Sequence, residues 1–379
     1  MKKETQYNQL MLLVVIVSLS CFTLTIILDL KHSEDKFYYT EEGRHFNLRW
    51  MLSLDEKDVH NNDQYKRMIR SKTNYPIVSQ PYKINNKNIC NGVEKVSVIV
   101  MVHTAPRHFL TRLRMRTTWL NSTYYSPENV RVVFLLGSVF DPMLQYQIEE
   151  ENKKFKDIVQ GQFIDSYRNL TNKGVMGYKW ISEHCMNAEI VLKVDDDAFV
   201  NFFKYFEEMS HIKEKKKYIL CNRILKGTMG IIRVNGSKWY VNEDEFRNMK
   251  AYPHTYCSGF SVFISIDLIP MLYRAAIGSP FFWVDDFFLF GLLPSRVPGV
   301  VHDNLRSNLS FMHPAAYDCY IRYRKKCKYV VVPAKEKEIP KMWLAVVQDR
   351  TQSIFGNYYM DLPSLPERST PRPMSKHLL

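Results

Sequence analysis

Three segments of the chain are almost entirely apolar and rich in β-branched residues. They span Lys95–Val102, Arg131–Gly137 and Glu189–Val194. Strands that are covered on both faces of a parallel sheet have such continuous apolar runs, whereas half-exposed strands alternate apolar and polar residues. The pattern therefore predicts three buried strands that belong to one sheet.

Two segments between these strands have helical character. Met143–Phe155 follows Asp141, a residue type that caps helix N-termini, and carries lysines near its end. Lys173–Cys185 follows Thr171, a second candidate cap. Strands that alternate with helices predict an α/β layered domain.

The C-terminal third of the chain is less regular. It contains a strand-like segment over Ser261–Ile266, an aromatic run over Phe281–Leu293 and a short apolar run over Val330–Pro333. Beyond about residue 348, prolines lie among Ser, Thr and Arg. We therefore predict a compact domain over residues 93–347 and a Pro-rich tail over 348–379.

The N-terminus carries an uncharged apolar stretch, Leu10–Leu28. Its length of about 19 residues is enough to cross a hydrocarbon core of roughly 30 Å. Lysines precede it and no good cleavage site follows it, which favours a retained signal anchor over a cleaved signal peptide. We therefore predict a cytoplasmic tail over 1–9, a single transmembrane helix over 10–28 and a luminal stem over 29–92.

Composition and charge narrow the class of protein. The chain has 379 residues, of which 46% are hydrophobic and 13% aromatic, so it has ample material for a core. A collagen-like, coiled-coil or multi-span membrane protein is excluded. The net charge of +13 raises the question of nucleic acid, but Lys and Arg form short clusters without an RNA-binding, zinc-finger or helix-turn-helix pattern. We therefore expect no nucleic-acid partner.

Two features agree with a body of the protein that lies in the secretory pathway. Six cysteines remain outside the apolar N-terminal stretch, an even number that allows three disulfides in a pairing that the sequence leaves open. No pair of them has the spacing of a zinc site. Four Asn-x-Ser/Thr sequons are candidate glycan acceptors, at Asn121, Asn169, Asn235 and Asn308.

Three aspartates, Asp195, Asp196 and Asp197, directly follow the third predicted strand. Ligands of open α/β sheets bind outside the carboxyl ends of the strands. Carboxylates on a tight turn suit a hard octahedral ion such as Mn²⁺ or Mg²⁺, which takes its remaining ligands from a diphosphate. The alternative is a solvated turn that caps the next helix. The apolar strand before the triplet favours the metal site.

A second pair of acids, Asp285 and Asp286, lies within the otherwise aromatic and aliphatic run Trp283–Gly291. Burial among apolar side chains raises the pKa of a carboxyl group towards the range that is useful for a general base. One of the two acids can also cap a helix over Phe287–Leu293, and the two interpretations are compatible.

Six sequence blocks occur here in the order in which a known family has them. Over about Lys95–Trp343 the chain resembles the β-1,3-glycosyltransferases of glycosyltransferase family 31, which includes β-1,3-galactosyltransferases and β-1,3-N-acetylglucosaminyltransferases. The blocks are RLRMRTTW (Arg112–Trp119), FIDSYRNLTNK (Phe163–Lys173), VDDDAFVN (Val194–Asn201), KWYV (Lys238–Val241), YPHTYCSGFSVFIS (Tyr252–Ser265) and VDDFFLFG (Val284–Gly291).

The resemblance implies a fold, a location and an activity. The fold is GT-A, a Rossmann-like mixed sheet flanked by helices, in a single-pass type II Golgi membrane protein with a luminal catalytic domain. The activity is inverting transfer of galactose or N-acetylglucosamine, from UDP-galactose or UDP-N-acetylglucosamine, in β-1,3 linkage to a glycan on a protein or lipid. Mn²⁺ or Mg²⁺ is the implied cofactor.

The resemblance also implies roles for individual residues. Asp197 is the direct metal ligand, and Asp195 and Asp196 contact the ion or the nucleotide sugar. Asp286 is the base that deprotonates the acceptor hydroxyl. Three cationic residues are candidates for donor contacts, with ion pairs inside the fold as the alternative: Arg112, Arg116 and Lys173.

The block Cys257-Ser258-Gly259 is a candidate wall of the substrate pocket. Gly259 allows a close approach of the backbone, since it carries no Cβ. For Cys257 we favour a plain disulfide.

The chain departs from the family pattern at one position that bears on the metal. The C-terminal His that the family uses to complete the metal shell aligns near Val332, which leaves His302, His313 or water in its place. Milder changes are Asp285 in place of Glu and Phe287 in place of Val. The departure supports a second hypothesis, a catalytically inactive GT-A-like luminal chaperone or glycan-binding protein. The retained aspartates favour the enzyme.

Overall fold

The computed structural model describes residues 80–311 and 313–348, with the backbone alone at residue 313, and a separate pair of two-residue strands near the N-terminus. These two strands, Tyr38–Tyr39 and His45–Phe46, pair antiparallel. The predicted signal anchor, most of the predicted stem and the predicted tail from residue 349 lie outside the described residues. Within the described part, none of the helices combines the length and the apolar character that a membrane crossing needs.

The domain is built on a seven-stranded mixed sheet with the order β8-β6-β7-β4-β1-β2-β3. Only β7 runs antiparallel to its two neighbours within this sheet. A separate pair, β5 and β9, is antiparallel. The strands are β1 (Val96–His103), β2 (Val130–Ser138), β3 (Ile158–Ile164), β4 (Ala188–Asp195), β5 (Ala198–Val200), β6 (Tyr218–Ile224), β7 (Tyr256–Ser265), β8 (Val301–Asn304) and β9 (Val331–Pro333).

Helices connect the strands and cover the sheet. One of them, α6, consists of three consecutive pieces, Asp285–Phe287, a π-helical turn Phe288–Leu292 and Leu293–Ser295. The others are α1 (Phe109–Thr117), α2 (Pro142–Phe155), α3 (Leu170–His184), α4 (Phe202–Glu208), α5 (Ile269–Ile277), α7 (His313–Tyr323) and α8 (339–348).

The apolar runs predicted as strands are β1, β2 and β4, which lie side by side in the centre of the sheet. Their residues alternate between two cores, one on each face. Val98 and Val100 of β1 belong to one core, and Ile99 and Met101 belong to the other. The prediction of an α/β domain around buried strands is confirmed, because these strands are covered on both sides.

The helix starts show how far local signals carry. Asp141 caps α2 as predicted, since its carboxylate accepts the backbone N–H groups of Met143 and Leu144. Thr171 is not the cap of α3, which begins one residue earlier at Leu170. The Thr171 hydroxyl is fully buried and donates to the carbonyl of Phe282. A tertiary contact therefore replaces the predicted cap.

The packed domain begins before residue 93, where the predicted stem ends. Ile84 forms a bridge with Gln160 at the β3 edge, and Asn85 accepts the indole N–H of Trp180 at 2.9 Å. Cys90 is buried in a disulfide with Cys185. Residues 80–92 thus belong to the domain and not to the stem. The sequence did not predict this, because local polarity does not reveal long-range contacts.

Three disulfides connect all six cysteines of the described domain, in agreement with the even number predicted. They are Cys90–Cys185, Cys221–Cys257 and Cys319–Cys327. Cys221–Cys257 links the adjacent strands β6 and β7, so the preference for Cys257 as a disulfide partner is confirmed.

We expect Gly177→Ala to destabilise the domain by about 1–3 kcal/mol, the usual cost of overpacking a core. A methyl group at Gly177 would overlap Met101 and would lie 2.7 Å from Leu135, in the layer between α3 and the sheet. Thermal unfolding of the purified protein measures the effect. The matched control is Gly278→Ala, because a methyl group there meets no atom within 4 Å. Equal unfolding temperatures for the two variants would contradict the tight contact.

Candidate active site

The carboxyl ends of β1 and β4 lie next to each other at one edge of the sheet. His103, the last residue of β1, is the register partner of Asp195, the last residue of β4. The backbone N–H of Asp196 donates to the carbonyl of His103 at 3.1 Å. The aspartate triplet is therefore held at the position where open α/β sheets bind ligands.

The three aspartates have different surroundings. One oxygen of Asp195 accepts the Lys193 ammonium at 2.6 Å. Asp196 accepts the Thr104 hydroxyl at 2.6 Å and lies 2.7 Å from Nδ1 of His108. Burial by itself would raise the pKa of Asp196, but the hydrogen bonds from His108 and Thr104 outweigh it and lower that pKa. Asp196 is thus held as an anion by its own protein contacts.

Asp197 is the acid of the triplet that is open to a ligand. Its side chain is exposed and forms no ion pair with another described residue. Partial desolvation of the carboxylate, together with the negative charges of Asp195 and Asp196, raises the pKa of Asp197 to about 6. A divalent cation would supply the missing positive charge, so the residues fit a hard metal ion. Among the described residues, no group of three or more His, Cys, Asp or Glu side chains is arranged to hold a metal ion.

The second acid pair lies at the start of α6, where Asp285 and Asp286 occupy the first turn. The backbone N–H of Gly259 in β7 donates to the Asp286 carboxylate. Gly259 lies two residues before Ser261, the register partner of Val194, so β7 brings α6 next to the aspartate triplet. Both predicted acid sites therefore converge at this edge of the sheet.

Burial raises the pKa of both members of this pair. The pKa of Asp285 rises to about 7, first because the group is desolvated and second because Asp286 is negatively charged beside it. Burial also raises the pKa of Asp286, against the opposing effect of Lys193 and the Gly259 N–H. A carboxyl pair with raised pKa values is suited to accept a proton closer to neutral pH than an ordinary aspartate does.

Lys193 connects the two acid sites, although no sequence motif predicted this role. Its ammonium is almost completely buried and donates to the Gly259 carbonyl at 2.5 Å as well as to Asp195. Burial would lower the pKa of Lys193, but the charges of Asp195, Asp285 and Asp286 raise it instead. The signal that could have revealed it is a single lysine inside an otherwise apolar buried strand.

His103 is a second residue that the sequence did not point to. It is buried, and neither ring nitrogen has a hydrogen-bond partner among the described residues. Its Nδ1 lies 4.0 Å from Asp285. Burial and the positive charges of Lys193 and Lys173 lower its pKa, so the imidazole is neutral at pH 7.

The three cationic candidates for donor contacts are placed inside the fold. The buried Arg112 pairs with Glu151 at 2.6 Å, and Arg116 pairs with both Glu151 and Asp157. Lys173 donates to the Thr104 carbonyl at 2.6 Å and pairs with Asp165 at 2.9 Å. These are the ion pairs that the sequence left open as the alternative. Their contact with a donor stays a prediction.

The segment that aligns with the family's C-terminal His lies beside the triplet. In β9, Val332 pairs with Phe199 of β5, and the N–H of Ala334 donates to the Asp197 carbonyl at 2.8 Å. No histidine occupies this segment. His302 lies in β8, three strand positions or roughly 14 Å from β4, and its Nε2 contacts the Phe290 carbonyl. His302 is therefore not a replacement ligand.

The four sequons differ in how they are exposed. Asn235 lies in an exposed turn, while Asn121 and Asn308 are half-buried. The Asn169 side-chain amide donates to the Ile164 carbonyl at 2.8 Å, directly before the start of α3. A glycan on Asn169 would require that hydrogen bond to break, so Asn235 is the sequon best placed to carry one.

A cavity of about 530 Å³ lies away from these acids. It is lined by Lys217, Arg274 and Arg296, among others. Lys217 precedes the first residue of β6, a strand that runs parallel to β4, so the cavity is at the opposite edge of the sheet from Asp195. It plays no part in the site described here.

Comparison with known proteins identifies the family. The family model described as Galactosyltransferase matches residues 111–305, which contain both acid sites. The chain belongs to the galactosyltransferase family. The mouse and human proteins named Beta-1,3-galactosyltransferase 1 are each 30% identical to it over 229 residues, which cover 58% of this chain and 68% of each relative.

A further relative of this member of the galactosyltransferase family is named for the transfer of a different sugar, N-acetylglucosamine. The Xenopus laevis protein named Lactosylceramide 1,3-N-acetyl-beta-D-glucosaminyltransferase A is 30% identical over 230 residues, which cover 57% of this chain and 60% of that protein. The predictions of a family 31 member, a hexosyltransferase and a β-1,3 linkage are confirmed.

Solved structures also match this family member at low similarity. The galactosyltransferase LgtC in complex with donor and acceptor sugar analogs has a TM-score of 0.32 and 11% identity, over 71% of this chain and 98% of that one. The bifunctional glycosyltransferase WbbM has a TM-score of 0.35 and 10% identity, over 69% of this chain and 52% of that one.

We expect Gly259→Ala to reduce glycosyl transfer by about 100-fold, the scale of a misplacement of about 1 Å at a reacting group. A methyl group at Gly259 would overlap the Asp286 carboxylate. Because the atom that must move is the end of a side chain, the unfolding temperature should change little. Steady-state kinetics and thermal unfolding measure the two effects, with Gly278→Ala as the control. Unchanged turnover in Gly259→Ala would show that the position of Asp286 does not matter.

Proposed function

We propose that the chain is an inverting glycosyltransferase that transfers galactose or N-acetylglucosamine from a UDP-sugar, in β-1,3 linkage, to a glycan of a glycoprotein or glycolipid. One observation carries the proposal. Two acid sites with different properties converge at one edge of the sheet, an exposed carboxylate at Asp197 and a pair that consists of the buried Asp285 and the half-buried Asp286. We infer a GT-A scaffold on the same grounds, since the mixed sheet supports both sites.

We infer that Asp197, together with the free oxygen of Asp195, would hold Mn²⁺ or Mg²⁺. When bound, such an ion neutralises the charge that develops on the leaving diphosphate. Lys193 keeps one oxygen of Asp195 in place, and Thr104 and His108 keep Asp196 ionised beside it. The chain thus provides few protein ligands and a strongly anionic turn, as an ion shared with a diphosphate requires.

We assign the base to Asp286. It accepts the proton of the acceptor 3-hydroxyl while that oxygen attacks the anomeric carbon and UDP leaves from the opposite face, which inverts the α-linked donor to a β-linked product. The Gly259 N–H orients the Asp286 carboxylate, and the buried Lys193 offsets its charge. Asp285 beside it raises the proton affinity of the pair.

We propose that the catalytic domain lies in the Golgi lumen, on a single-pass type II membrane protein. The disulfides and the exposed Asn235 sequon support this location, because both modifications take place in the secretory pathway. The apolar stretch of residues 10–28 is the proposed anchor.

An inert glycan-binding or chaperone-like protein is the second candidate. The absence of a histidine in the segment 331–334 beside Asp197 favours it, since the metal shell then lacks a protein ligand. Both hypotheses predict a folded luminal domain, but they differ in turnover.

Two variants separate metal binding from chemistry. We expect Asp197→Ala to weaken Mn²⁺-dependent UDP binding by at least about 100-fold, because loss of an outer-shell partner alone costs 10- to 100-fold. We expect Asp286→Asn to keep UDP binding and to lose about 100- to 10,000-fold in transfer, the range for a general base. Calorimetry with Mn²⁺ and with EDTA measures binding, and product formation from UDP-galactose and UDP-N-acetylglucosamine measures transfer.

The outcomes distinguish the hypotheses. UDP binding without any transfer or donor hydrolysis by the wild-type protein would support the inert candidate. A folded wild-type protein that binds no UDP at all would contradict both the donor and the metal assignment. Asp286→Asn with full activity would remove Asp286 from the role of base.

We expect kcat/KM to rise with pH through an acid limb that lies above the usual range of an aspartate, because burial raises the pKa of Asp286. The base must be ionised to accept a proton, so activity is present above this raised pKa and is lost as the pH falls through it. Asp285→Asn removes the neighbouring charge and should move this acid limb to lower pH. Rate profiles between pH 5 and pH 9, at saturating Mn²⁺, check the shift. An acid limb at the same pH in both proteins would mean that another group controls it.

A further inference from the structure

An exposed aromatic surface lies beside the acid pair, and neither the donor nor the metal chemistry uses it. Tyr167 and Trp239 are 44% and 50% exposed, whereas most large aromatic side chains of the domain are buried. Trp283, which is 8% exposed, packs against Tyr167. We call these three side chains the aromatic platform.

The platform is an ordered arrangement built from three separate parts of the chain. The Trp239 indole N–H donates to the Tyr167 hydroxyl at 2.9 Å. The rings of Tyr167 and Trp283 have centroids 6.3 Å apart. The Arg168 guanidinium stacks on Trp283 at 3.4 Å from the ring centroid. These contacts hold the rings in place before any ligand arrives.

The platform adjoins the proposed base. Trp283 is two residues before Asp285, directly in front of the first turn of α6. Desolvation raises the pKa of the Tyr167 hydroxyl, and the negative charges of Asp285, Asp286 and Asp195 raise it further. A ligand bound over Tyr167 therefore lies next to Asp286, the group that would deprotonate a hydroxyl of that ligand.

The chemistry of the platform fits a sugar ring. One face of a pyranose is a patch of C–H groups. Packing of this face on an aromatic ring removes apolar surface from water and so lowers the free energy. Its hydroxyls need polar partners at the rim. The exposed Lys238 ammonium lies 4.9 Å from the ring centroids of both Tyr167 and Trp239 and forms no ion pair with another described residue. It is placed to donate to such a hydroxyl.

We propose that the aromatic platform is the subsite for the acceptor sugar, a hexopyranose whose C–H face packs on Trp239 and Tyr167. This inference rests on the proposed transferase function and names the binding site of its second substrate. The sequence block Lys238–Val241, which has no role in the donor chemistry described above, supplies Trp239 and Lys238 to it.

Binding of free pyranosides tests the subsite without turnover. We would use the full chain in detergent, loaded with UDP and Mn²⁺, and measure saturation transfer by NMR to methyl β-galactoside, methyl β-N-acetylglucosaminide and lactose. We expect at least one of them to bind, and we expect Trp239→Ala to raise its Kd about tenfold or more, as loss of an anchoring aromatic residue does. Trp239→Phe, which keeps a ring, should recover part of the affinity.

Kinetics give a second readout that separates the two proposals. We expect Trp239→Ala to raise the acceptor KM by a similar factor, while UDP binding and the hydrolysis of the UDP-sugar by water stay at the wild-type level. Met186→Ala is the matched control, since Met186 is 44% exposed but precedes the amino end of β4, at the opposite edge of the sheet.

Three results would overturn the subsite. They are an unchanged Kd and acceptor KM in Trp239→Ala, an equal effect of Met186→Ala, or failure of every pyranoside to bind the UDP-loaded wild-type protein. Loss of UDP binding or of donor hydrolysis by the wild-type protein would instead contradict the proposed function.

Discussion

The buried ammonium of Lys193 is the interaction on which the arrangement of this site depends. It lies in β4, almost without contact with solvent, and binds Asp195 and the Gly259 carbonyl at the same time. An unpaired buried cation would cost several kcal/mol, so its stability here requires the acids around it. The acids in turn depend on Lys193, because it binds Asp195 and its positive charge favours the ionised forms of Asp285 and Asp286. Strand β4 thereby connects the aspartate triplet with the start of α6.

This coupling explains why one sheet edge holds two kinds of carboxyl group. Asp197 is exposed and therefore open to an ion, whereas Asp285 is buried, and desolvation and the charge of Asp286 raise its pKa to about 7. Gly259 makes the arrangement possible, since any side chain at that position would overlap the Asp286 carboxylate. The aromatic platform adjoins the Asp285–Asp286 pair at the same edge. A donor on one side and an acceptor on the other would then meet at Asp286.

Local sequence signals predicted the elements that depend on their own residues. The apolar strands β1, β2 and β4 and the Asp141 cap of α2 follow from periodicity and capping, and both acid sites follow from acids in unusual apolar contexts. Strands β3, β6 and β8 were not predicted. They contain polar residues or are short, and their formation depends on their neighbours in the sheet. The packing of residues 80–92 was missed for the same reason, since the Cys90–Cys185 disulfide spans 95 positions.

The sequence by itself determined the class of fold, the family and the acids of the candidate site, because these are encoded in short motifs whose order is visible along the chain. Only the tertiary structure decided which charges meet. It joined Lys193 to three acids from two segments, enclosed Arg112 and Lys173 in ion pairs, and placed the segment at Val332 beside Asp197 without a histidine. Electrostatic interactions depend on distance and burial in three dimensions, and a linear pattern specifies neither.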